Sequence, residues 1–170
     1  MFKPALTIAE VAQTVTKRKF VSAVVKDNTQ PTASERRQRD YVQPNEKIII
    51  WDLRFTGMRE KEIPLQFHAR LETAISGVIR PKPGVSLKWK GRRIRGVNHA
   101  FRHDNMLNAL PAEPVRGWHE KLWNEVDEDK HIIDINGDIK NTDFRAVIRF
   151  CCDRWNIELP EENQRRIGDL

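Results

Sequence analysis

Two hydrophobic periods alternate along this chain, and the change from one to the other marks its elements. Near the start, Ile8, Val11, Ala12 and Val15 recur at helical intervals. Thr7 and Glu10 flank the first of them at capping-box spacing, which predicts an N-terminal helix. Residues 19–26 are apolar and β-branched, and either extend that helix or form a first strand. The period then falls to two. In residues 47–55, Trp51, Leu53 and Phe55 alternate with Asp52 and Arg54. In residues 65–73, Leu65, Phe67, Ala69 and Leu71 occupy one face and Gln66, His68, Arg70 and Glu72 the other. Pro81-Lys82-Pro83-Gly84 interrupts the pattern, after which Val85, Leu87 and Trp89 alternate with Ser86, Lys88 and Lys90. Gly91 marks a turn into a strand over residues 94–101, which would set Val97, His99, Phe101 and His103 on one face. A segment broken by Pro111 and Pro114 leads to residues 118–123 and a short strand at 131–135, closed by an Asn136-Gly137 turn.

The helical period returns at the end. Phe144, Val147, Ile148, Cys151 and Trp155 form an apolar stripe, with Arg145, Arg149 and Asp153 on the opposite side and Asn141 or Thr142 as the cap. Pro160 is expected to stop this helix and leave a frayed tail. The pattern predicts an α+β fold in a single domain, 1–170. Within it, residues 1–26 form an N-terminal helical flanking segment, 27–46 a polar loop or hinge, and 47–160 the α+β core. A mostly antiparallel sheet of four to five strands would pack against the C-terminal helix. Trp51, Phe67, Leu71, Trp89, Phe144, Ile148 and Trp155 are the expected core.

Composition narrows the class. Of 170 residues, 39% are hydrophobic and 32% charged, enough apolar content for a core and too much for compositional disorder. No apolar run approaches the ~20 residues a membrane helix needs. Met1-Phe2-Lys3-Pro4 lacks the apolar stretch of a secretory signal, and the two cysteines, Cys151 and Cys152, are adjacent on a helix rather than spaced for a disulfide. A reducing cytoplasm, without membrane contact, is the expected home. The net charge of +6 is unevenly spread. Residues 73–103 hold eight Lys or Arg and no Asp or Glu, whereas residues 104–170 hold fifteen acidic against nine basic residues. Such asymmetry favours RNA or another polyanion as partner, with an acidic protein as the alternative.

The chemistry-bearing residues cluster beside that basic arm. His103 and His119, from two separate segments, are the expected acid and base, and Asp104 would orient one of them. Arg102 and Lys121 would bind phosphate. Lys88, Trp89, Lys90, Arg92, Arg93 and Arg95 would track a nucleic-acid backbone, with Trp89 available for base stacking. In metal-free RNA cleavage a base takes the 2′-hydroxyl proton, an acid protonates the leaving 5′-oxygen, and a cation stabilises the phosphorane. His99 lies four residues from His103, which is metal-ligand spacing on a helix but about 13 Å on a strand. Zinc motifs are absent, and a magnesium site would have to assemble Asp104, Glu120 and Asp134. The expectation is no metal and no cofactor. His68 and His131 read as structural or surface groups. Phosphate-cradling, dinucleotide-binding and nucleophile-elbow glycine motifs are all missing.

Four segments carry a resemblance: Ile48-Ile49-Ile50-Trp51-Asp52-Leu53, Phe101-Arg102-His103-Asp104-Asn105, Gly117-Trp118-His119-Glu120-Lys121, and residues 143–155. Their order resembles a family of small bacterial and archaeal toxins of toxin–antitoxin pairs. That family has a tryptophan-containing strand, an Arg-Tyr-Asp-Asn-type segment, a glycine-preceded His-x-His-type segment and a closing amphipathic helix. His103 stands here where an aromatic is expected, and Lys121 where a second histidine is expected. The resemblance implies a cognate antitoxin partner. With the residues above it leads to the expected function, a metal-independent endoribonuclease-like toxin. The rivals are a non-catalytic nucleic-acid-binding module and a phage or mobile-element inhibitor or adaptor that docks on an acidic protein.

Overall fold

The computed structural model describes residues 6–27, 37, 46–72, 82–103, 115–124, 128–140 and 143–169. These form eight strands and three helices: α1 (Ile8–Thr16), β1 (Lys19–Asp27), β2 (Glu46–Phe55), β3 (Leu65–Glu72), β4 (Lys82–Trp89), β5 (Arg92–His103), β6 (Val115–Asn124), β7 (Glu128–Asp134), α2 (Phe144–Arg154), β8 (Ile157–Glu158) and α3 (Glu161–Gly168). The strands make one sheet in the order β7-β6-β5-β4-β3-β2-β1-β8. β1 to β7 follow one another as an antiparallel meander, and only β8 joins in parallel, beside the start of β1. The α+β class is as expected, but the sheet is larger than four to five strands. Residues 19–27 take the strand alternative because their β-branched residues pair with β2. Val115–Asn124 becomes a full strand between β5 and β7. The tail also differs from expectation. Pro160 precedes α3 rather than ending structure, because Ile167 is buried in the core. The expected hinge at 27–46 lies outside the described residues, apart from Asp27, Arg37 and Glu46.

Alternation decides which face becomes core. Ile49, Trp51 and Leu53 on β2 and Leu65, Phe67 and Ala69 on β3 are all fully buried. Val85, Leu87 and Val97 continue this layer on β4 and β5. The helical stripe Phe144, Val147, Ile148, Cys151 covers it, and Trp155 follows directly after the last turn of α2. Trp51 stacks on Phe67 at 5.3 Å, and Trp155 meets Phe67 edge-on at 6.3 Å. Val11 and Val15 of α1 and Ile167 of α3 join the same cluster, so all three helices pack on one face of the sheet. Thr7 and Glu10 form the expected capping box. The N-cap of α2 is Asp143; Asn141 and Thr142 lie outside the described residues. Burial pushes both cysteine thiols upward, which leaves them protonated and unsuited to nucleophilic chemistry.

Candidate nucleic-acid interface

The face opposite the helices is polar, and register alone assembles it. Ile50, His68, Ser86, Gly96, Lys121 and Ile132 lie side by side across β2 to β7. The next row is Ile48, Arg70, Gly84, Asn98, His119 and Asp134. Gln66, Lys88 and Arg93 stand on the other side of the first row. At the centre of this face is an open basin of about 430 Å³. His68, Arg70, Ser86, Lys88, Arg93 and Asn98 line it, with His99 at its margin. Gly84 lines it, and Gly96 pairs with Ser86 in the adjacent row. A Cβ on Gly96 would stand 3.2 Å from Arg93 Cδ, and one on Gly84 3.2 Å from Asn98 Nδ2.

The basin is cationic by construction. A bulge shifts register between Leu87 and Lys88, and sets Lys88 directly opposite Arg93. Like charges in that position repel. Lys88 makes no ion pair among the described residues. A bound anion would offset the repulsion. His68 belongs to a chain of contacts along the same face: Gln66 Nε2 donates to Asp52 Oδ1 at 3.1 Å, and His68 Nε2 lies 3.2 Å from Gln66 Oε1. Burial, then the Lys88 charge, hold the His68 pKa below its ordinary value, against a smaller opposing pull from Asp52.

The basic arm is split by strand alternation. Lys88 and Arg93 face the basin, whereas Trp89 packs against the core and carries Lys90 Nζ 4.4 Å above its ring. Arg95 lies on the helix side, where its Nη1 donates to Ile94 O at 2.8 Å and its Nε is 3.9 Å from Glu120. Arg92 is half-buried beside the β4–β5 turn. That turn is a two-residue hairpin in which Lys90 (φ 50°) and Gly91 (φ 73°) both take the left-handed conformation.

The expected catalytic residues fare differently. His119 is only 1% exposed, and its Nδ1 lies 3.2 Å from Gly117 O. Its register neighbours are Asn98 and Asp134. The backbone of His103 pairs with Val115, four residues along β6 from His119, which is about 13 Å on a strand. A register shift between Ala100 and His103 breaks the simple alternation expected for residues 97–103. Lys121 is half-buried and shares the face of His119, as extended spacing predicts. Asp104 and the side chains of Arg102 and His103 lie outside the described residues. His99 is exposed and meets Trp118 edge-on at 5.2 Å. Glu120 and Asp134 occupy opposite faces, because Glu120 pairs with Ile133 and His119 with Asp134. The imagined magnesium set is therefore not brought together, and no metal-holding group of three His, Cys, Asp or Glu occurs among the described residues.

Residues that sequence reasoning passed over do converge: His68, Arg70, Ser86 and Asn98. The signal was present in the alternation, since His68 and Arg70 were already on the polar face of β3. What was missing was the pairing of β3 with β4 and of β4 with β5. No helix of the described residues is long and apolar enough to cross a membrane. Comparisons with protein-family models, curated proteins and solved structures return no match.

Proposed function

We propose that this chain is a nucleic-acid-directed protein that binds a single strand along the sheet face opposite α1, α2 and α3. The observation that carries this reading is the central basin, where Lys88, Arg93 and Arg70 meet Ser86 and Asn98. Arginine and lysine satisfy phosphate oxygens, and hydroxyl and amide groups add orientation. A sheet face with an extended polar surface suits a splayed strand better than a duplex. Burial of His119 and the backbone separation of His103 from His119 favour binding over cleavage by that pair of histidines. The toxin reading and its antitoxin partner rest on the resemblance alone.

Binding of a fluorescent single-stranded oligouridylate tests the proposal. Affinity should fall as salt rises, with a log–log slope of about −2 for three phosphate contacts. Lys88→Glu with Arg93→Glu should weaken binding about tenfold or more and flatten the slope. Equal affinity in the double variant, or binding indifferent to salt, would overturn it.

A further inference from the structure

We propose that His68 Nδ1 accepts a hydrogen bond from a ribose 2′-hydroxyl of the bound strand, which makes the basin selective for RNA over DNA. This rests on the strand-binding reading above and deepens it.

Asp52 fixes the orientation of its neighbours on this face. A carboxylate only accepts hydrogen bonds, so the Gln66 group facing Asp52 Oδ1 at 3.1 Å must be its NH₂. The Gln66 carbonyl oxygen is thereby turned towards His68, 3.2 Å from Nε2. A carbonyl oxygen also only accepts, so Nε2 must be the protonated nitrogen of the ring. In a neutral imidazole the other nitrogen then carries the lone pair. The half-buried ring sits opposite Ser86 and one pair away from Lys88, an environment that disfavours a second positive charge. Nδ1 of His68 has no hydrogen-bond partner among the described residues. Asp52 and Gln66 thus hold His68 as an acceptor.

That choice has a consequence for the ligand. Lys88, Arg70 and Arg93 are donors without acceptor capacity, suited to phosphate oxygens. A fixed imidazole acceptor in the same basin asks for a donor close to a phosphate. On an RNA backbone the 2′-hydroxyl is that donor, and it is the group through which proteins distinguish RNA from DNA. The basin's volume of about 430 Å³ falls in the range of small-ligand sites, enough for one nucleotide unit.

Three strands of identical sequence provide the test: oligouridylate, its 2′-deoxy counterpart, and its 2′-fluoro counterpart, which keeps the ribose pucker but has no hydroxyl donor. The wild-type protein should bind the ribose strand about tenfold tighter than either of the others, the worth of one good hydrogen bond. His68→Phe, which keeps the ring volume, should abolish the preference, so that ribose and deoxy strands bind alike. Gln66→Met, which releases the tautomer without touching the ring, should lose part of the preference. Equal binding of all three strands by wild type would overturn the hydroxyl inference while strand binding stands. So would a 2′-fluoro strand that binds as RNA does, or a preference that survives in His68→Phe. Failure to bind any strand would remove both readings together.

Discussion

Gly117 shows how much one residue is asked to do. It holds φ at +81°, and a Cβ there would collide with Asn136 Oδ1. The close approach has a purpose, since the same oxygen accepts from Trp118 N at 2.7 Å and Asn136 N in turn donates to Asp134 Oδ1. Gly117→Ala should therefore cost about 2 kcal/mol or more in chemical denaturation, from left-handed strain and the displaced Asn136. An unchanged midpoint would show that the β6–β7 corner gives way easily. Lys19 is the second such residue. Fully buried, its ammonium donates to Val15 O, Lys17 O and Trp155 O at 2.6–2.8 Å and ties the ends of α1 and α2 to the start of β1. Loss of hydration, then the charges of Arg95 and Lys17, push its pKa down to about 7. An unfolded lysine titrates near ~10.4. Between those values the unfolded chain holds the extra proton, so this residue makes stability rise with pH; below pH 7 both states are charged and its cost is present in full. The buried thiols act oppositely once unfolded cysteines ionise, near ~8.5. From pH 7 to 8.5, wild type should therefore gain about 1–2 kcal/mol relative to Lys19→Met. Parallel curves for the two proteins would contradict this.

At the scale of elements, β6 is held between a polar face and a core face by residues that alternate in role. Glu120 is buried, yet accepts from Arg154 Nε at 2.6 Å and Trp155 Nε1 at 2.9 Å, and so joins the sheet to the end of α2. Glu120→Ala leaves those donors and Arg95 without their carboxylate and should destabilise by about 3–5 kcal/mol, with Glu120→Gln milder. Thermal melts of the three proteins check the order. Elements with an unbroken period were legible in the sequence. The stripe from Phe144 to Trp155, the alternation from Leu65 to Leu71 and the Thr7–Glu10 cap all stand as read. β6 was harder to read because Glu120 occupies a core position, where its partners Arg154 and Trp155 come from more than thirty residues away. The third helix was hidden behind Pro160, whose turn-breaking character says nothing about Ile167 finding a pocket in the core. The candidate site was half legible. Lys88 and Arg93 were visible as charge, but the bulge that opposes them, and their meeting with His68, Arg70 and Asn98, depend on strand pairing that no local pattern encodes.

Seen whole, the molecule divides its labour by face. One side of the sheet carries the tryptophans, the cysteines and α1, α2 and α3; the other carries the basin and its cations. Because each strand alternates, a basic run such as residues 88–95 contributes to both sides, and only Lys88 and Arg93 of that run line the basin. A strand laid along this face would cross β3, β4 and β5, and its contacts would fall on His68, Lys88 and Arg93. Photo-crosslinking of a 4-thiouridine-substituted RNA strand, read by mass spectrometry of the labelled peptides, tests this most directly. Crosslinks concentrated on Gln66–Arg70 of β3, Gly84–Lys88 of β4 and Arg93–His99 of β5 are the predicted result. Crosslinks confined to α1, α2 or α3, with those three strands unlabelled, would contradict it.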